Sequence, residues 1–105
     1  MESEKRRDAR IKKKLPLRFY FEGNAFLSFT GDMSRRGIFI QTPQPCPAGR
    51  GINIEIEGHK EKVTLAGYII WSKEDMGQPW MLFQGGMGVQ LLNYQKQGYQ
   101  SLLGE

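Results

Sequence analysis

The chain has 105 residues, a net charge of +4, 39% hydrophobic and 25% charged side chains, the profile of one soluble domain with a single core rather than a disordered segment. No apolar run approaches the ~18 residues a membrane span needs, and the charged start Met1-Glu2-Ser3-Glu4-Lys5-Arg6 lacks a secretory apolar segment, so a cytoplasmic location is expected. One cysteine, Cys46, and one histidine, His59, exclude an internal disulfide and offer no Cys/His cluster for a metal.

Residues 1–14 hold seven Lys/Arg against three acidic residues, while residues 15–105 carry eight of each sign. All the excess charge therefore lies in an N-terminal stretch without helical or strand periodicity. It reads as a flexible basic arm seeking anions, or, more plainly, as a solubilising tail. Residues 15–105 read as one folded unit.

Leu17, Phe19 and Phe21 alternate with Arg18, Tyr20 and Glu22, which predicts a strand with one buried face. Gly23-Asn24 predicts a two-residue hairpin turn. Residues 25–30 form the second predicted strand and residues 37–42 the third. Pro43, Pro45, Pro47 and Gly49 then mark a loop. Ile52, Ile54 and Ile56 alternate with polar residues in a fourth strand. Along the fifth, residues 62–72, Val63, Leu65, Gly67, Ile69 and Trp71 share one face, with Tyr68 and Ile70 on the other. A polar loop over residues 73–79 leads to a sixth strand, residues 80–92, broken by Gly85-Gly86. Residues 93–103 predict a short helix with Asn93 as N-cap. Short antiparallel strands at this spacing predict an all-β domain, a six-stranded barrel with a C-terminal helix.

Catalysis has little to stand on. His59 lies in a predicted turn with no Ser or Cys near it in sequence, and Gly85-Gly86-Met87-Gly88 lies within strand residues, outside the strand-to-helix context of a dinucleotide loop. No enzyme activity and no cofactor are expected. The polar concentration lies elsewhere. Asp32-Met33-Ser34-Arg35-Arg36-Gly37 joins two strands, and Arg6-Arg7-Asp8-Ala9-Arg10 adds a second arginine cluster in the arm. A strand-to-strand turn is the plain reading of the first. The two together suggest a site for a ligand bearing phosphates and guanines, because guanidinium pairs with phosphate oxygens and with guanine O6 and N7.

Arg6-x-x-x-Arg10 followed by Asp32-x-Ser34-x-x-Gly37 resembles the paired motifs, R-x-x-x-R and D/N-x-S-x-x-G, of the PilZ domain, the bacterial receptor module for cyclic di-GMP. Gly67-Tyr68-Ile69-Ile70-Trp71 and Gly86-Met87-Gly88-Val89-Gln90-Leu91 are similar to the family's fifth and sixth strands, with Leu91 where an aromatic is common. The resemblance implies a cyclic di-GMP receptor whose site comprises Arg6, Arg7, Arg10, Asp32, Ser34 and Gly37. Arg36 is an additional candidate, and Trp71 is either a core residue or a stacking face. It leads us to expect two mutually intercalated ligands per chain, favoured by Lys5, Arg7 and Arg36. The arm is expected to order on the barrel as ligand binds, and a downstream protein partner is expected to read the result. Two other readings use the same features: a nucleic-acid-binding barrel using the basic arm, and a PilZ-like interaction module without ligand. The arm lacks the interleaved aromatics of the former, and the intact motifs oppose the latter, so no nucleic-acid partner is expected.

Overall fold

In the computed structural model, residues 9–43, 45–73 and 85–104 are described. They form β1 (Ile11–Lys12), β2 (Pro16–Phe21), β3 (Asn24–Met33), β4 (Gly37–Gln41), β5 (Gly51–Glu57), β6 (Lys62–Lys73), β7 (Gly86–Leu91) and one helix, α1 (Gln97–Gly104). The strands run in the order β1-β3-β2-β5-β6-β7-β4, and a further β3–β4 pairing closes the sheet. Strands β2 to β7 thus make the six-stranded antiparallel barrel. Closure leaves one set of alternate side chains enclosed, and those are the apolar ones: Leu17 and Phe19, then Ile52, Ile54 and Ile56, then Val63, Leu65 and Ile69 are buried. Each such aliphatic side chain contributes about 1.5–3 kcal/mol on burial.

Two register shifts shape the region around the groove described below. The first separates Thr30 from Asp32 in the β3–β4 ladder, leaving Gly31 as the extra residue. A Cβ on Gly31 would stand 2.3 Å from the Phe39 ring, so a side chain there would displace that ring. The second lies between Ile69 and Trp71 in the β6–β7 ladder. An extra residue in a strand interrupts its two-residue alternation. Trp71 therefore leaves the face it shares by count with Ile69: Ile69 is buried, whereas Ile70 and Trp71 are both exposed. The expectation of a core position for Trp71 is corrected by that bulge.

Three local assignments also move. Phe21 pairs with Asn24, so the hairpin turn is Glu22-Gly23, with φ of 50° and 81°, rather than Gly23-Asn24. Two successive positive φ values are what a tight type I′ hairpin requires. The helix starts at Gln97 instead of near Asn93, because the Asn93 side chain is turned back to accept the Ala66 amide at 2.9 Å. At the other end, Ile11 and Lys12 pair with Met33 and Asp32, and the Leu15 amide donates to Thr30 Oγ1 at 2.8 Å. Residues 11–14, assigned above to the flexible arm, thus include barrel-paired backbone. Lys73, expected to open the polar loop, ends β6; residues 1–8 of the arm, the remaining loop residues 74–79 and the first part of the expected sixth strand, residues 80–84, lie outside the described residues.

Candidate functional site

The bulge at Gly31 sets the direction in which β3 delivers Asp32, and the chain then reverses through residues 34–36 into β4. This reversal is held from within. The Ser34 amide donates to the Gly37 carbonyl at 2.9 Å, and Ser34 Oγ lies 3.4 Å from the same oxygen. Gly37 is opposite Gln90 of β7, where a Cβ would approach the Val89 carbonyl to 3.0 Å. A side chain there would crowd the neighbouring strand, whatever a ligand requires.

Tyr99 of α1 supports the turn from the core side. Its ring is completely buried, and its hydroxyl contacts the Ser34 carbonyl at 2.5 Å and the Gly37 carbonyl at 3.2 Å. Burial raises the Tyr99 pKa well above its usual range, so the phenol stays a protonated donor at all ordinary pH values. Sequence reading missed Tyr99, since Gln97-Gly98-Tyr99-Gln100 looks polar and carries no motif.

Arg10 reaches this turn from the arm. Its Nε donates to Asp32 Oδ1 at 2.6 Å, joining two motif residues 22 positions apart in the chain. Around that ion pair runs an open groove of about 710 Å³, lined by Arg10, Asp32, Ser34, Arg36 and Gly37 together with Phe39, Ile70, Trp71, Gly88 and Gln90. Of the expected site residues, Arg10, Asp32, Ser34, Gly37, Arg36 and Trp71 thus share one groove. Arg6 and Arg7 lie outside the described residues. Arg35 does not line the groove; its guanidinium sits 5.8 Å from the centre of the Tyr94 ring, and that of Arg36 lies 5.7 Å away.

The apolar flank is built on missing side chains. Phe39, Gly88 and Trp71 lie in register across β4, β7 and β6. A Cβ on Gly88 would come within 2.2 Å of Trp71 Nε1, and one on Gly86 within 2.6 Å of the Phe39 ring. The two aromatics lie over these glycines and stack with centroids 5.5 Å apart and planes 17° from parallel. Trp71 remains 43% exposed, leaving part of the indole open to the groove. Two glycines at strand period are a sequence signal for close approach of this kind, but they do not say what approaches. Phe39, Ile70 and Gln90 were accordingly not singled out.

The profile of the PilZ domain matches residues 4–104. The chain belongs to the PilZ domain family. PilZ domains are regulatory binding modules. Among solved structures, that of the Bacillus subtilis inhibitor of motility (MotI/DgrA) is similar, with a TM-score of 0.70 and 15% identity. The match covers 90% of this chain and 46% of that one, so this PilZ chain corresponds to about half of its neighbour's length. At that identity the likeness speaks to the fold. No curated protein sequence is significantly similar to the chain. No helix among the described residues is long and apolar enough to cross a membrane.

Proposed function

We propose that this PilZ domain is a receptor for cyclic di-GMP, without catalytic activity of its own. The observation that carries the reading is convergence: Arg10, Asp32, Ser34 and Gly37, drawn from the arm, β3, the turn and β4, border one groove. Arg10 pairs with ligand phosphate or with guanine O6 and N7, in the charge-assisted geometry that suits guanidinium. Asp32 accepts from the guanine N1–H and N2–H₂ edge with its two carboxylate oxygens. Arg36 adds positive charge at the same rim. Trp71, over Gly88, offers a stacking surface for a guanine, an interaction worth about 1–3 kcal/mol per base.

Two ligands per chain, mutually intercalated, follow from the charge available. Lys5, Arg6, Arg7, Arg10 and Arg36 supply cations for the four phosphate charges of a stacked pair. Because Ile11 and Lys12 are already paired to β3, ligand-driven ordering is assigned to the arm ahead of them, including Arg6 and Arg7. An arm folded over the ligand changes the surface a partner reads, an order–disorder device. Titration with cyclic di-GMP, GTP and a short oligonucleotide at two salt concentrations tests this reading. A receptor prefers the cyclic dinucleotide at both. A phosphate-tracking barrel prefers the oligonucleotide and loses it steeply as salt rises.

A further inference from the structure

Helix α1 has eight residues, two of them glycine, which is too short and too weak in propensity to hold its shape unaided. Its buried anchors are Tyr99 and Leu102, three residues apart and therefore on one face. Leu102 needs no more explanation than its apolar burial. Tyr99 does, because a phenylalanine would fill the core equally well without carrying a hydroxyl into it. That hydroxyl contacts the carbonyls of Ser34 and Gly37, the first and last residues of the turn that borders the groove. The same helix is tied to the arm. Lys13 Nζ donates to the Leu102 carbonyl at 2.5 Å, placing a cation at the negative end of α1, where the helix dipole favours it. Arg10, three residues before Lys13, contacts Asp32. The arm base and the turn, which flank the groove, are thus both fastened to α1.

We propose that α1 is a positioning element of the nucleotide site, with Tyr99 as its positioning residue and Lys13 as its tie to the arm. Tyr99 acts through the Ser34–Gly37 backbone and does not itself line the groove. Coupling of this kind is reciprocal: what holds the turn in its binding geometry is in turn held by the ligand. Ligand binding therefore tightens the docking of α1, and anything that loosens α1 weakens the site. The ligand half of this inference rests on the cyclic di-GMP reading; the Tyr99–turn half does not.

The test uses the full chain and Tyr99→Phe, which keeps the ring and removes the hydroxyl. Without ligand, Ser34, whose amide donates to Gly37, and Leu91, whose amide donates to the Arg36 carbonyl, exchange faster in the variant than in wild type. Cyclic di-GMP binds the variant more weakly, by roughly two-fold and at most about ten-fold, the ceiling set by the whole contribution of one neutral hydrogen bond, with unchanged stoichiometry and well below its melting temperature. In wild type, saturating cyclic di-GMP slows exchange of the Gln100 amide within α1, a measurement that stands even should the variant fail to fold. A folded Tyr99→Phe protein with wild-type exchange at Ser34 and wild-type affinity overturns the proposal. So does a wild-type α1 indifferent to bound ligand. A wild-type protein that binds no cyclic di-GMP overturns the proposed function instead, and Ser34 exchange alone then decides the role of Tyr99.

Discussion

Removing the Asp32 carboxylate separates guanine recognition from simple anion attraction, because the two predict opposite signs. Asp32 sits at the groove beside Arg10, with the two side chains 28% and 51% exposed. An ion pair this open to solvent contributes only ~0.2–1 kcal/mol to folding. Asp32→Ala should therefore lower the melting temperature by about 8 °C at most, given about 4–8 °C per kcal/mol for a domain of this size. A groove that merely attracts phosphate would gain from losing a negative charge, and the variant would bind cyclic di-GMP more tightly. A groove in which Asp32 accepts from a guanine edge loses a charged hydrogen bond worth about 1.5–3 kcal/mol, weakening affinity roughly ten- to 150-fold. Asp32→Asn retains one acceptor oxygen without the charge and should fall between wild type and the alanine variant. Calorimetry at constant ionic strength, with thermal melts of the free proteins, reads both quantities. Tighter binding by Asp32→Ala, or affinity equal to wild type, would refute the role assigned to this carboxylate.

Gly88→Ala should displace Trp71, since its methyl would meet the indole at 2.2 Å; affinity should fall by the ~1–3 kcal/mol of one stacked base, and unchanged binding would remove Trp71 from the site. Gly67→Ala should act on stability instead, because its Cβ would meet the Gln90 backbone carbonyl at 2.5 Å, a group the barrel cannot swing aside. Overpacking of that kind costs about 1–3 kcal/mol, and a denaturant midpoint equal to wild type would contradict the geometry. Tyr99 predicts an alkaline limit. Its phenol ionises near pH 10 when unfolded, and burial raises that value in the fold, so the unfolded state releases its proton first. Its contribution is complete below pH 10 and is lost as pH rises beyond it; comparison with Tyr99→Phe isolates the effect, and identical alkaline melting curves would deny it. For the arm, amides of residues 5–10 should gain protection on ligand addition, while those of Ile52, Ile54 and Ile56 hardly change. Equal protection with and without ligand would move the switch elsewhere.

The barrel was legible because its strands obey a two-residue rule that side chains announce. Ile52, Ile54 and Ile56 leave one arrangement open, and the proline-rich stretch after β4 marks a loop. The polar half of the candidate groove was legible, since arginine, aspartate, serine and glycine at fixed spacing carry a chemistry of their own. What could not be read depends on distant partners. The bulge after Ile69 inserts one residue and reverses the facing of Trp71, yet nothing in Tyr68-Ile69-Ile70-Trp71 signals it. Glu22 takes a positive φ that Asn would adopt more readily, so Gly23-Asn24 looked like the better turn pair. Asn93 has the side chain of a helix cap, but its oxygen serves the Ala66 amide across the fold. Tyr99 supports a turn 62 to 65 positions away, a contact that only the closed barrel creates.

The central claim, that this PilZ domain receives cyclic di-GMP in the groove between the Arg10–Asp32 pair and Trp71, is tested most directly by calorimetric titration of wild-type protein. The account predicts saturable binding with two ligands per chain and an affinity that Arg10→Ala reduces at least ten-fold, the loss of one charge-assisted contact. Absence of binding heat across temperatures and ligand concentrations that saturate a micromolar site, or binding that Arg10→Ala leaves unchanged, would contradict it.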